Sequence, residues 1–228
     1  TQAEALKTRL FLEYGTTMNG LSSEYSVDPE DFLSYVHDID LSDLSYDNEL
    51  DVGMSALPGK KYIYTNGTVL HASRILKAFG IEHHFELIFD IFASNHLPKP
   101  AMQPYQDFLA QSKINPKQAV MIEDMARNLE PAAKLGMQTV WLMAEHSWAR
   151  KGATEPYVHY IARDLKHSCA RVNSNTWGAK AAQKIPMKPS MPAGCCRTIC
   201  KPASALGTTG IFPCGILPKR EKAATKQW

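Results

Sequence analysis

Apolar and polar positions divide the first 166 residues into a helical part and a part where short strands alternate with helices. Residues 2–14 carry apolar side chains at helical spacing, and a loop with a short helix follows. Asp28 and Pro29 then start another helix, because Asp is a favoured N-cap and Pro fits the first turn. This pattern predicts a small helical unit over residues 1–57.

Short apolar runs typical of strands alternate with amphipathic helices over residues 58–166. The predicted strands cover Tyr62–Tyr64, 85–94, 118–124 and 138–144, and 157–165 forms one more short element. The predicted helices cover 69–80, 104–114 and 126–136. Such alternation predicts an α/β fold with a Rossmann-like parallel sheet and helices on both faces. Ligands of such sheets bind beyond the carboxyl ends of the strands, so the polar residues there are the candidates for chemistry.

Composition separates residues 167–228 from the rest of the chain. The net charge of +2 over 228 residues hides 22 acidic and 15 basic residues up to Lys166, against 1 acidic and 10 basic residues after it. All five cysteines fall in this last part: Cys169, Cys195, Cys196, Cys200 and Cys214. They show no paired Cys-x-x-Cys and no nearby His, so a zinc site is a weak interpretation. We expect a disordered basic tail without specific nucleic-acid binding; out-of-frame sequence is an alternative.

No apolar run is long enough to span a bilayer and no signal peptide is visible, so we expect no membrane partner. The absence of Cys from residues 1–166 is consistent with a reducing, cytoplasmic environment. Oligomeric state is not indicated by the sequence.

Two of the predicted strands are followed by groups suited to an anion. Thr65, Asn66 and Gly67 offer a hydroxyl, an amide and a tight turn after the first strand, and an ordinary turn is the alternative. Lys99, before Pro100, follows the second strand and would hold an anion as a point charge. The alternative for Lys99 is a solvated surface lysine.

A pair of acids ends the third predicted strand. Glu123 and Asp124 follow an apolar run, where packing alone does not explain a carboxylate, and Asn128 lies four residues beyond Asp124. Carboxylate and amide oxygens at this spacing suit Mg²⁺. The alternative is that Asp124 is only the N-cap of the next helix.

Taken in order, these groups resemble the motifs of the haloacid dehalogenase-like hydrolase superfamily. The resemblance is carried by the segments YTNGTVLHASRILKAFGI, KPAMQPYQDFL and MIEDMARNLEPAAKLGMQTVWL, which look like the second, third and fourth motifs. The segments YGTTMNGL, DPEDFLSYVHDID and LPGKKYIYTNG resemble the helical cap of the pyrimidine 5′-nucleotidase branch. The resemblance covers residues 5–166 and does not extend into the tail.

The resemblance implies a Mg²⁺-dependent phosphomonoester hydrolase that works through an aspartyl-phosphate, with a nucleotide as its small-molecule substrate. Thr65 and Asn66, with Gly67, would bind the phosphoryl group, and Lys99 would neutralise charge on it. Asp124 would bind Mg²⁺, and Glu123 and Asn128 are further candidates for the metal. In the cap, Thr16 and Thr17 lie in a loop that would meet the nucleoside, although a capping and turn role is an equal alternative.

The family's first motif, a strand ending in Asp-x-Asp-x-Thr, is absent from the sequence. Asp38-Ile39-Asp40 has the spacing, but Leu41-Ser42 follows and the segment ends a cap helix. The nucleophile is therefore missing, and we expect this chain alone to be inactive. Because that strand is central in the family, its two neighbours are expected to have open edges, which would make the chain unstable.

Two other functions fit the same scaffold. A metal-free dehalogenase of the same superfamily is one, and a nucleotide-binding or regulatory protein that has lost catalysis is the other. His83-His84 is interpreted as a linker and not as a metal pair, because adjacent side chains point in different directions.

Overall fold

The computed structural model describes residues 1–144 and 146–165 and the backbone of residues 209–212. The helices are α1 Gln2–Tyr14, α2 Thr17–Tyr25, α3 Pro29–His37, α4 Asn48–Ala56, α5 Val69–Phe79, α6 Met102–Ser112 and α7 Leu129–Lys134. The strands are β1 Lys61–Tyr64, β2 Phe85–Phe89, β3 Ala119–Glu123, β4 Gln138–Leu142, β5 Tyr160–Ala162 and β6 Thr209–Phe212. Short 3₁₀ turns lie at Glu82–His84, Pro116–Gln118 and Ala126–Asn128. No helix in these described residues is both long and apolar enough to cross a membrane.

The strands form one sheet in the order β2-β1-β6-β3-β4-β5, and every neighbouring pair is parallel. The predicted α/β fold with a parallel sheet is therefore confirmed. Buried residues pack on both faces because side chains of a strand alternate between faces. On β1, Ile63 packs on the face covered by α5, whereas Tyr62 and Tyr64 pack on the face covered by α6 and α7.

The centre of the sheet differs from the expectation of two open edges. The backbone of β6 pairs with β1 on one side, where Tyr62 is opposite Ile211, and with β3 on the other, where Met121 is opposite the same residue. The expected open edges are wrong because a segment far along the chain supplies the ladder hydrogen bonds there. The predicted disorder of the tail concerns residues that otherwise lie outside the described ones.

Local signals position the helices that frame the site. Asp28 accepts hydrogen bonds from the backbone N–H groups of Glu30 and Asp31, which starts α3 as its N-cap. Thr68 caps α5, and Gly80 ends it in the left-handed conformation at φ 72°. The buried carboxylate of Asp90, just after β2, accepts from the N–H of Val69 and fixes the start of α5 to the end of β2.

Helix α4 was not individually predicted. Its Leu50 and Met54 are buried in the same cluster as Ile63 and Leu76, so α4 packs with the sheet. The domain boundary at residue 57 stays a prediction. Helices α2 and α3 pack around a separate cluster that contains Met18, Leu33 and Ile91.

Candidate functional site

The turn after β1 is held tightly at the carboxyl end of the sheet. The N–H of Thr65 donates to the carbonyl of Phe89 at 2.9 Å, which ties the end of β1 to the end of β2. The Thr65 hydroxyl oxygen accepts from the N–H of Gly67 at 2.9 Å. A Cβ on Gly67 would lie 3.3 Å from this oxygen and 3.5 Å from the ring of His37, so the turn has little room for a side chain.

Lys99 is buried between the ends of β1 and β3. Its ammonium donates to the carbonyl of Tyr64 at 3.0 Å and to Oε2 of Glu123 at 2.6 Å, and its side chain is 4 % exposed. Its backbone N–H donates to Oδ1 of Asn66 at 2.9 Å, so the turn after β1 also positions the loop that contains Pro98 and Lys99, here called the lysine loop. An ammonium has three donors, and two have partners among the described residues, which leaves one for a ligand.

Both carboxylate oxygens of Glu123 are hydrogen-bonded within the protein, one of them to Lys99. Its side chain is 2 % exposed, and while Oε2 bonds Lys99, Oε1 accepts from the N–H of Met125 at 3.2 Å. The pKa of Glu123 is raised to about 7, mainly by burial; the ammonium of Lys99 opposes this rise, and the nearby carboxyl of Asp124 adds to it. Both oxygens therefore have protein partners.

Asp124 and Asn128 are the remaining oxygen groups after β3. Asp124 is half-buried, and its backbone carbonyl accepts from the indole N–H of Trp141 at 2.8 Å. Asn128 is buried, and its backbone carbonyl accepts from the hydroxyl of Tyr105 at 2.6 Å. Its side-chain Oδ1 is buried without a hydrogen-bond partner in the described part of the chain. A buried acceptor of this kind is rare and suits a cation.

The turn between α1 and α2 lies against the lysine loop. A Cβ on Gly15 would be 3.1 Å from Cγ of Pro98, directly before Lys99. Thr16 caps α2, since its hydroxyl accepts from the N–H of Asn19 at 3.1 Å, and Thr17 is the first residue of that helix. The cap therefore reaches the site, and the Thr16 hydroxyl, which accepts from Asn19, still has its own O–H to donate.

Sequence reasoning missed a pair of histidines beside the turn after β1. The rings of His37 and His71 stack 4.1 Å apart at 8°, and Nδ1 of His37 is 3.2 Å from the hydroxyl of Thr68. Burial lowers the pKa of His37 to about 4, and His71 and Arg74 act in the same direction. The two residues lie on α3 and α5, and no local sequence signal links them.

The same histidines line a cavity of ≈ 730 Å³ between the cap and the core. Arg74 donates to the carbonyls of His37 and Ile39 at 3.0 and 2.9 Å, which fixes the end of α3 on α5. Asp90 and Phe92 line the cavity on the side of β2, and Lys99 does not line it. The cavity thus adjoins the turn after β1 through Gly67 and His37.

Residues 58–142 match the family model described as haloacid dehalogenase-like hydrolase. Over these residues, which cover less than half of the chain, the sequence is similar to that family. The matched range includes β1, β3 and the residues that follow them, which carry the resemblance seen in the sequence.

Solved structures are similar in fold to this chain. A dehalogenase with an intermediate complex matches with a TM-score of 0.52 and 18% identity, over 75% of this chain and 84% of the other. The L-2-haloacid dehalogenase from Xanthobacter autotrophicus with chloropropionic acid covalently bound matches with a TM-score of 0.48 and 14% identity, over 75% and 82%. A HAD family enzyme from Bacteroides thetaiotaomicron, in complex with magnesium and inorganic phosphate, matches with a TM-score of 0.41 and 19% identity, over 66% and 83%.

Proposed function

We propose that the residues after β1, β2 and β3 bind a phosphomonoester together with Mg²⁺, as in a phosphohydrolase of this superfamily. We call Thr65, Asn66, Lys99, Asp124 and Asn128 the strand-end cluster. The observation that carries the proposal is the buried ammonium of Lys99, bonded to the carbonyl of Tyr64 and the carboxylate of Glu123. A buried charge with a donor left over is expected where an anion binds.

The phosphoryl group would be held by groups whose donors are unused. The Thr65 oxygen accepts from Gly67, so its O–H is left to donate to a phosphoryl oxygen. Asn66 accepts through Oδ1 from the N–H of Lys99, so its amide NH₂ is left to donate in the same way. Lys99 would supply the positive charge that balances the ligand's oxygens.

Mg²⁺ would be held by Asp124 and Asn128. A carboxylate and an unpartnered, buried amide oxygen form the oxygen donor set that this ion prefers. When bound, the ion would neutralise charge on the phosphate. We assign Glu123 to the positioning of Lys99 and not to the metal, because both of its oxygens have protein partners.

The covalent step needs an aspartate that the described site does not supply. In the superfamily's mechanism this aspartate follows the central strand, but the residue after β6 is Pro213, and the sequence contains no Asp-x-Asp-x-Thr. We therefore propose that this chain binds its ligand without forming an aspartyl-phosphate.

For the substrate we propose a pyrimidine nucleoside 5′-monophosphate, on the resemblance of the cap to that branch. The cavity between α3 and α5 supports a ligand larger than phosphate, because it adjoins the turn after β1. Thr16 and Thr17 stay candidates at the cap, because the Thr16 oxygen that caps α2 accepts a hydrogen bond and leaves its O–H to donate. A cytoplasmic location stays a prediction.

The test is to measure, on the purified chain, phosphate release from UMP, CMP, AMP and glucose 6-phosphate, chloride release from 2-chloropropionate, and calorimetric binding of CMP. We expect Mg²⁺-dependent CMP binding without phosphate or chloride release, and loss of binding in Asp124→Asn. Asp43→Asn, in the exposed loop between α3 and α4, is the matched control and should bind normally.

Two outcomes would overturn parts of this proposal separately. Absence of CMP and phosphate binding would refute the phosphate site. Mg²⁺-dependent turnover that Asp124→Asn abolishes would keep the site and refute the absence of catalysis.

A further inference from the structure

A second group of ligating side chains lies at the opposite edge of the sheet from the strand-end cluster. Asp51 is on α4, and His83 and His84 are in the 3₁₀ turn directly before β2. Oδ1 of Asp51 is 2.6 Å from Nε2 of His84 and 3.4 Å from Nε2 of His83. The three ligand atoms lie within 4.8 Å of one another.

The expectation that the two histidines diverge is wrong. The rings of His83 and His84 lie 3.9 Å apart with a tilt of 40°, and both reach the same carboxylate oxygen. Adjacent side chains diverge along a regular strand, but here the pair ends a tight 3₁₀ turn. The chain folds α4 against this turn, which places the carboxylate within reach of the Nε2 atoms of both imidazoles.

Asp51 is oriented by a residue behind it. The hydroxyl of Tyr46 donates to Oδ2 of Asp51 at 2.7 Å, so Oδ1 is the oxygen that faces the histidines. The Tyr46 ring packs on Gly80, where a Cβ would collide with Cδ2 of the ring. A partner of this kind, which fixes a ligating group, is typical of metal sites.

The cluster is rigid at its base and open at one side. Leu50, next to Asp51, is fully buried in the core, and the N–H of Asp47 donates to the carbonyl of Phe79 at 3.2 Å. The side chain of His84 is 9 % exposed and that of Asp51 21 %, whereas that of His83 is 62 % exposed. Solvent therefore reaches the group from the side of His83.

Two imidazoles and one carboxylate are the donor types that zinc and its neighbours prefer, whereas Mg²⁺ and Ca²⁺ prefer oxygen alone. We propose that Asp51, His83 and His84 bind a divalent transition-metal ion of the zinc type, with solvent in the fourth position. The ion links α4 to the start of β2 and stabilises the folded chain by mass action. This site is independent of the strand-end cluster.

The test is a titration of the full chain with Co²⁺ and with Zn²⁺. The five cysteines are alkylated first in every sample, so that thiolates do not contribute ligands. We expect one equivalent of Co²⁺ with visible absorption bands of a nitrogen and oxygen site, displacement by Zn²⁺, and a higher melting temperature with Zn²⁺.

Variants locate the site. His83→Gln, at an exposed side chain that is expected to leave the fold intact, should lose the Co²⁺ bands and the thermal shift, as should Asp51→Asn. Tyr46→Phe should weaken binding about 10–100-fold, because it removes only the partner behind the carboxylate. His146→Gln, at an exposed histidine elsewhere, should behave as the wild type. Binding that survives His83→Gln and Asp51→Asn, or no saturable binding by the alkylated wild type, would overturn the proposal.

Discussion

Two ion pairs have the same N···O distance, but one lies in the core and the other in the cap, and they differ in their exposure to solvent. Lys99 and Glu123 lie 2.6 Å apart with side chains 4 % and 2 % exposed, and Arg9 and Glu24 also lie 2.6 Å apart but are 41 % and 26 % exposed. Water and salt screen the cap pair, whereas the core pair has only its protein partners. The N···O distance alone therefore does not show which of the two ion pairs is the stronger.

The two pairs also differ in what surrounds them. The cap pair joins α1 to α2, and Glu13 is a second partner of Arg9. The core pair is bonded further to the carbonyl of Tyr64 and the N–H of Met125, both next to candidate ligand groups. An isolated buried ion pair is weak evidence for stability, so a role in binding is the better explanation for its presence.

The largest effect is expected from breaking the core pair. Lys99→Met leaves a buried carboxylate without its cation, so the free energy of unfolding at pH 8 should fall by about 3–5 kcal/mol. Urea denaturation measures this, with Lys60→Met as the control at an exposed pair with Glu86. If the free energy of unfolding falls equally in both variants, the buried pair contributes no more to stability than the exposed pair.

The pH dependence of Glu123 should be the next largest effect. Its pKa is raised to about 7 in the folded chain from an ordinary value of 4.5, so the folded state holds a proton that the unfolded state loses. This contribution to stability is present below pH 4.5 and is lost as the pH rises towards 7, with a slope of at most about 1.4 kcal/mol per pH unit.

Urea denaturation of the wild type and Glu123→Gln between pH 4.5 and 7.5 tests that slope. The difference in unfolding free energy between the two should change across this range, and Glu86→Gln, at an exposed position on β2, should run parallel to the wild type. Parallel curves for Glu123→Gln as well would contradict a raised pKa.

The contribution of His37 to stability should depend on pH in the opposite direction to that of Glu123, because the pKa of this base is lowered and not raised. Burial lowers its pKa to about 4 from an ordinary 6.5, so its contribution to stability is present above pH 6.5 and is lost as the pH falls towards 4. The imidazole signals of His37 in an NMR titration should have a midpoint near 4. A midpoint near 6.5 would show that the cavity beside α3 is open to water.

The smallest effect is expected in the cap. Arg9→Gln removes an exposed pair, so the free energy of unfolding should change less than in any core variant, and the change should vanish in 1 M NaCl. A salt-independent loss as large as that of Lys99→Met would remove the contrast between the two pairs.

Local signals are sufficient to predict much of the fold. The N-cap at Asp28, the helix end at Gly80 and the apolar run before Glu123 each act within a few residues, so they are readable in the sequence. The polar groups after β1 and β3 were predicted to be neighbours because parallel strands bring their carboxyl ends to one edge.

Contacts between segments far apart in the chain could not be predicted from the sequence. The pairing of β6 between β1 and β3 joins residues about 90 to 150 positions apart in the chain, and His37 and His71 stack through the packing of α3 on α5. The convergence of His83 and His84 on Asp51 likewise depends on where α4 packs. In each case tertiary packing, not local preference, decides the partner.

The central claim is that the strand-end cluster binds phosphate with Mg²⁺, and a calorimetric titration of orthophosphate tests it most directly. With Mg²⁺ present, the wild type should bind one equivalent, Thr65→Ala should bind more weakly and Asp124→Asn should not bind; without Mg²⁺, wild-type binding should fall. Phosphate binding that is independent of Mg²⁺ and unchanged in both variants, or no binding to the wild type, would contradict the claim.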